Sequence, residues 1–436
     1  MLNNNPMEQL NRTLAPAAFA LRAPVLPHIQ TATLNNGIPL HMVRFGTQPV
    51  LELQLVFRAG HAYEAHAGLD GITLRMLNEG THNLNAQQLA EKLEYLGAFF
   101  NVSSGYEIST LTLSALTRQL PAALPLLQEV WLNAGFPAQE FEQLRTRELQ
   151  SLAVETQKTT YHARKHFLQG LYGAGHPYGT VATAEQYAAY SPEVLRKYFK
   201  QTYTAGNCAL IAAGQFEPDL LIRNLNQHIG VIQPVAFSGT SSATAQPLKF
   251  AAGREDIKLP TTTSVQSSIR VGHTATPRNH PDYHTMRLVT TVLGGYFGSR
   301  LMQNIREDKG YTYGIHAQWT CLKHAGHFVI GTDVGNEYVE DTLTQIRLEI
   351  NRLQQELMTA EELELARNHL LGQLISEQET PFQIADLFKN VWANGLPMDD
   401  ITEAFEAIQQ VTPTQVQQLA QRHLNTNTLL EVIAGA

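Results

Sequence analysis

Gly97-Ala98-Phe99-Phe100-Asn101-Val102 and Gly310-Tyr311-Thr312-Tyr313-Gly314-Ile315 hold matching places in two similar stretches of this chain, residues 97–214 and 310–435. The match continues outward. Phe136-Pro-Ala-Gln-Glu-Phe-Glu-Gln-Leu144 answers Met358-Thr-Ala-Glu-Glu-Leu-Glu-Leu-Ala366, Ser191-Pro192 answers Thr412-Pro413, and Ile211-Ala-Ala-Gly214 answers Val432-Ile-Ala-Gly435. The offset drifts from 213 to 222 and settles at 221, as duplicated domains with loops of unequal length would give. Function is therefore to be sought between two similar halves.

Length alone suggests roughly three domains of about 150 residues; the duplication replaces that with two halves, each long enough to bury a core without staples. With 43% apolar and 16% charged residues, the chain has an ordinary globular composition. A net charge of −8 and the absence of a basic run give no footprint for nucleic acid. No apolar run reaches the roughly 18–20 residues of a membrane span. Cys208 and Cys321 fall one in each half and read as two thiols or one bridge, leaving the redox compartment open. The segment before residue 30 lacks a basic start and is broken by Pro16 and Arg22, so it reads as a polar extension without a convincing signal peptide, in either a cytoplasmic or a periplasmic protein.

Alternation predicts strands at 37–44, 50–57, 98–103 and 109–116, and helices at 69–77, 86–96 (capped by Asn85), 120–133, 139–157 and 192–203, before a strand at 208–213. Residues 234–263, rich in Ser, Thr, Ala and Gly, read as a linker between halves at 31–233 and 264–436. The second half repeats the order: strand 267–273, helices 283–293 and 299–309, strands 312–319 and 326–334, helices 336–355 and 359–377, then a last helix and strand. Paired strands and blocks of helices predict an α+β fold, two homologous halves each with an antiparallel-rich sheet packed with helices.

Three stretches carry a resemblance: Gly68-Leu69 to Gly80-Thr81, His176-Pro-Tyr-Gly179, and Ser299-Arg-Leu-Met-Gln-Asn-Ile-Arg-Glu-Asp-Lys-Gly-Tyr-Thr-Tyr313. With the two-half layout, they resemble the pitrilysin/insulinase family of inverted-zincin metallopeptidases over residues 30–436, and within it the bacterial members and the mitochondrial processing peptidase subunits. The resemblance implies that the chain forms one side of a clamshell chamber. Catalytic members carry His-x-x-Glu-His between Gly-Leu and Gly-Thr, where two histidines on one helix face bind zinc and the glutamate activates water. Here the frame reads Gly-Leu-Asp-Gly-Ile-Thr-Leu-Arg-Met-Leu-Asn-Glu-Gly-Thr. The ligand positions fall on Gly71 and Arg75 and the base on Leu74, none of which can do that chemistry. Glu148 and Glu155 have the mutual spacing of the downstream acidic pair, and without the histidines they read as solvated helix residues.

Arg306 and Tyr313, in contrast, match the family's arginine–tyrosine pair, which the resemblance implies reaches toward the scissile carbonyl as oxyanion donors. Read in isolation, Arg306 is a surface helix residue and Tyr313 a strand residue packed on its sheet. Other clusters read as structural: His162 and His166 on a solvated helix face, Cys321-x-x-His324-x-x-His327 as a turn without a fourth ligand, and His280 with His284 as a helix start. Leu293-Gly-Gly-Tyr-Phe-Gly-Ser299 lacks the ending of a phosphate loop.

The resemblance thus implies a non-catalytic subunit of a heterodimeric zinc metallopeptidase. The chain itself would bind no cofactor. Its zinc-bearing homologous partner would hold the metal, and an extended peptide would be the substrate. The sheet edge at 97–104 is a weaker place for that peptide to add as a strand. The alternatives are a purely structural subunit, like the peptidase-derived core proteins of respiratory complexes, and an independent peptidase with an unrecognised metal site. A homodimer in isolation is a further expectation.

Overall fold

The computed structural model describes residues 21–237, 239, 241–244, 250–259 and 264–435; most of the expected N-terminal extension lies outside them. The strands are β1 (Gln30–Thr33), β2 (Pro39–Arg44), β3 (Val50–Phe57), β4 (Phe99–Ser104), β5 (Ser109–Leu116) and β6 (Cys208–Gly214), then β7 (Gly253–Lys258), β8 (Gln266–Ala275), β9 (Ile315–Cys321), β10 (Gly326–Gly335) and β11 (Leu430–Gly435). They form two sheets, ordered β1-β2-β6-β3-β5-β4 and β7-β11-β8-β10-β9. Apart from β1, the orders correspond strand for strand. Only β2–β6 and β7–β11 pair in parallel; the other ladders are antiparallel.

Strand periodicity decides which core each residue joins. In β6, Leu210 and Ala212 face the large first-half core, with Leu53, Leu55 and Leu113. Ile211 and Ala213 face the opposite side, with Val43 and Val56. A sheet covered on both faces needs helices on both, and here the second layer is exchanged. Helix Thr159–Tyr172 comes from the first half in sequence but packs on β8 and β11 of the second sheet. There its Phe167, Leu168 and Leu171 join Val329, Leu430 and Val432. Helix Pro381–Ala393, from the second half, packs on β2 and β6 of the first, through Ile384, Ala385 and Phe388. The close fit is visible at Gly170, where a Cβ would lie 2.5 Å from Leu430 Cδ2.

Polar ties follow the exchange: Gln54 Nε2 donates to Asp386 Oδ1 at 3.0 Å, and His166 Nδ1 meets Glu255 Oε1 at 2.7 Å. Several helix starts have physical caps. Asn85, Thr183, Thr380 and Thr412 each sit in a reciprocal capping box with a glutamine three residues on.

Several elements differ from the sequence reading. The expected linker contains β7, whose Gly-Arg-Glu-Asp-Ile-Lys pattern has the charge typical of an edge strand. Helices Pro381–Ala393 and Asp399–Gln410 were not anticipated. The strand expected from 312 starts only at Ile315, because Thr312 holds residues 312–314 in a loop. Among the described residues, no helix is long and apolar enough to cross a membrane.

Candidate functional site

The first candidate region is helix Leu69–Arg75, which continues as a tight 3-10 turn through Glu79. Its apolar face, Leu69, Ile72 and Leu74, is buried in the first-half core, so Leu74 serves packing. Gly71 leaves room over the helix, and a Cβ there would sit 3.6 Å from Arg75 Nη2. That guanidinium reaches Glu148 Oε2 at 3.1 Å on the long helix Ala138–Glu155. A second pair runs the other way between the same segments, Arg147 Nη2 to Glu79 Oε1 at 2.8 Å. Glu148 is therefore not the solvated helix residue the sequence suggested; its side chain is only 17% exposed. Glu155 is about half exposed and pairs with Lys158. Tyr187 closes the cluster, its hydroxyl pKa raised by burial and then by the Glu148 charge, with Arg75 opposing.

A residue that sequence reasoning passed over anchors this helix. Asp70 is 1% exposed, and its carboxylate accepts hydrogen bonds from Ser104 Oγ, Ser109 Oγ, Tyr198 OH and Tyr203 OH. Burial, reinforced by the Asp70 charge, pushes both tyrosine hydroxyls far above their ordinary range, so they stay protonated donors. Glu64 supports the same turn by accepting from the Gly68 and Asp70 amides and contacting His61. The only sequence signal was an aspartate on the apolar side of a helix start; its four donors come from distant elements.

The second region lies across the repeat. The helical turn Met302–Asp308 ends at Gly310, which adopts φ +68° with open space around its Cα. The Tyr311 amide then donates back to Ile305 O at 3.1 Å. Thr312 Oγ1 donates to Asp333 O at 2.8 Å and exchanges hydrogen bonds with Gly314, while Thr332 Oγ1 bonds to Thr312 Oγ1 and Gly314 O. These bonds fix both sides of Tyr313, whose side chain is 94% exposed. Tyr313 is thus not the packed strand residue of its isolated reading. Arg306 is about one-third exposed, 3.6 Å from Glu307, and its guanidinium lies 4.6 Å over the ring of Phe297. Phe297, in the Leu293–Ser299 segment, is itself 58% exposed.

The remaining clusters are held by the fold. His162 Nε2 meets Thr156 O at 2.8 Å. His327, half-buried, meets the Tyr172 hydroxyl, and desolvation lowers its pKa to about 4. His284 meets Asp400, which also binds Arg278. Cys208 and Cys321 are free thiols, and burial pushes Cys321 up to about 12. Among the described residues no three His, Cys, Asp or Glu side chains are grouped to hold a metal. The motif helix does not fit zinc: a glycine, a leucine and an arginine paired to Glu148 supply no ligand set.

With this geometry in view, comparison with known proteins supplies the family. The model of the insulinase peptidase family M16 matches residues 46–177, and that of the M16 peptidase inactive domain matches residues 189–370. The chain belongs to the M16 peptidase family. It is similar to a protein of Rickettsia felis described as an uncharacterized zinc protease, 23% identical over 85% of this chain and 89% of that one. A protein of Helicobacter pylori described as the non-peptidase homolog YmxG is 24% identical, with 89% of each chain covered. Among solved structures, an M16 inactive domain from Pseudomonas fluorescens superposes with a TM-score of 0.85 at 25% identity, covering 94% of this chain and 98% of that one. Such similarity spans both halves of the M16 chain, so the α+β architecture with two halves is the family's. The inactive-domain match and the relative described as a non-peptidase homolog support a non-catalytic member of the family.

Proposed function

We propose that this M16 chain is the non-catalytic subunit of a two-subunit zinc peptidase, presenting Arg306 and Tyr313 to a peptide held at its partner's zinc site. The observation that carries the reading is Tyr313 itself. A tyrosine 94% exposed at the tip of a loop braced by Thr312 and Thr332 contributes almost nothing to the core, and a rigid loop costs little entropy when it meets a ligand. A phenol and a guanidinium are both hydrogen-bond donors, suited to a carbonyl oxygen that gains negative charge. One such donor is typically worth about 3–4 kcal/mol in the transition state. The H. pylori relative's description as a non-peptidase homolog agrees with a chain that does not cleave alone.

The test is peptide cleavage by the chain alone and mixed with a zinc-motif M16 subunit of the same organism. The expected result is activity only in the mixture, reduced about 100-fold or more by Tyr313→Phe and by Arg306→Ala. Mixed activity indifferent to both substitutions would remove the pair from the mechanism. A stable complex that never cleaves would make the chain a structural subunit.

A further inference from the structure

Away from the motif helix and the Arg306–Tyr313 loop, the first half contains a cavity of about 490 Å³, between the ends of helices Leu120–Leu132 and Pro192–Thr202 and the start of the linker. Trp131, Phe136, Phe199 and Ile232 wall it. At its mouth Leu132, Val231 and Val235 are each at least half exposed, an apolar surface left uncovered among the described residues. The charged groups lining the cavity are basic: Arg196 and Lys200, with the imidazole of His82 nearby and no carboxylate among the lining residues. Glu193, one turn before Arg196, is fully exposed and outside the lining. Arg196 donates from Nη2 to Gly135 O at 3.2 Å, while its Nε is buried with no partner among the described residues.

Two backbone features maintain this shape. Phe136 has φ +48°, the only non-glycine residue with positive φ among the described residues. Bulky residues rarely hold that conformation, and such strain concentrates at ligand clamps and active sites. Its repeat counterpart, Met358, carries no such strain. Gly206 has no room for a Cβ, which would lie 2.3 Å from Val235 O, so the linker closes directly over it and overhangs the cavity.

We propose that this cavity binds a medium-chain aliphatic carboxylate, its chain among the aromatic walls and its head at Lys200 and Arg196. Apolar walls alone would accept any oily group. The one-sign rim selects an anionic head, and the volume lies within the range of small-ligand sites. An occupant would span helix, helix and linker at once, tying the linker to the first half.

Titration calorimetry of the full chain with decanoate, kept below its micellar concentration, tests this. One molecule should bind per chain, with affinity rising about four-fold per added methylene from octanoate toward dodecanoate until the cavity is full. Decanol should bind about ten-fold more weakly or worse, for want of the charged head. Lys200→Ala should weaken decanoate several-fold, and Val235→Glu should abolish binding while the ligand-free melting temperature stays that of the parent. The absence of saturable binding overturns the proposal, as does binding indifferent to head group or to Val235→Glu. Tighter binding of an apolar hexapeptide with a free carboxylate would also overturn it, since the groove would then belong to a protein segment.

Discussion

The motif helix of the first half and the loop after the helical turn of the second make opposite use of their polar residues. In the first, Asp70 is enclosed by four hydroxyls and Arg75 is turned onto Glu148. In the second, the backbone is braced so that Tyr313 touches almost nothing. The sheets beneath share one strand order apart from β1. One region thus turns its polar residues to internal support while the other keeps a side chain outward, and substitution should separate the two. Changes in the first region should move stability and leave a partner's chemistry alone; changes in the second should do the reverse.

The largest expected effect is at Asp70. Asp70→Ala strands four buried or half-buried hydroxyls, and an abandoned buried network of this kind costs about 3–5 kcal/mol. Urea unfolding should show it as a lower midpoint, and Ser109→Ala, which leaves the carboxylate three donors, should cost far less. Equal losses from both would break the picture of a shared cage.

Next is Tyr313→Phe, expected to lower cleavage by the two-subunit mixture about 100-fold while leaving the melting temperature within a degree or so of the parent. A stability loss comparable to the Asp70 variant would show that the loop holds the fold after all.

Arg75→Ala should cost no more than about 1 kcal/mol, since the arginine is nearly half exposed and pairs of that kind are weak. Its effect on the mixture's cleavage should be nil. A strong kinetic effect would return the motif helix to the functional side of the comparison.

The smallest effect concerns pH. Burial by itself lowers the His61 pKa, but the hydrogen bond and charge of Glu64, with a contribution from Asp70, raise it overall. A raised histidine contributes stability that is complete below its unfolded value near 6.5 and is lost as pH rises through the folded value. The parent's melting temperature should therefore decline slightly more above pH 6.5 than that of His61→Gln. Parallel curves would mean the imidazole carries no charge there.

Local signals made much of this legible. The duplicated strands, the capped helix starts and the Gly-Leu to Gly-Thr frame are all contained in short windows, and the helices at 86–95, 120–132 and 192–202 lie close to where periodicity put them. The exchange was not legible. The apolar stripe of helix Thr159–Tyr172 says that it must be covered but not by which sheet, and the same holds for Pro381–Ala393. β7 escaped because a charged edge strand beside a polar linker has no apolar alternation to betray it. At the site, the identities at Gly71, Leu74, Arg75, Arg306 and Tyr313 were readable from their frames. The pairing of Arg75 with Glu148, the cage around Asp70 and the stacking of Arg306 on Phe297 depend on tertiary proximity, which a linear pattern does not encode.

The exchanged helices also set an order of events during synthesis. As the chain leaves the ribosome, the first sheet can be assembled once residue 214 has emerged, yet the apolar face formed by Val43, Val56, Ile211 and Ala213 waits for residues 381–393. At about 5–20 residues per second, that face stays bare for many seconds. The first half therefore gains the second layer of its own sheet only after residues 381–393 of the second half have been made.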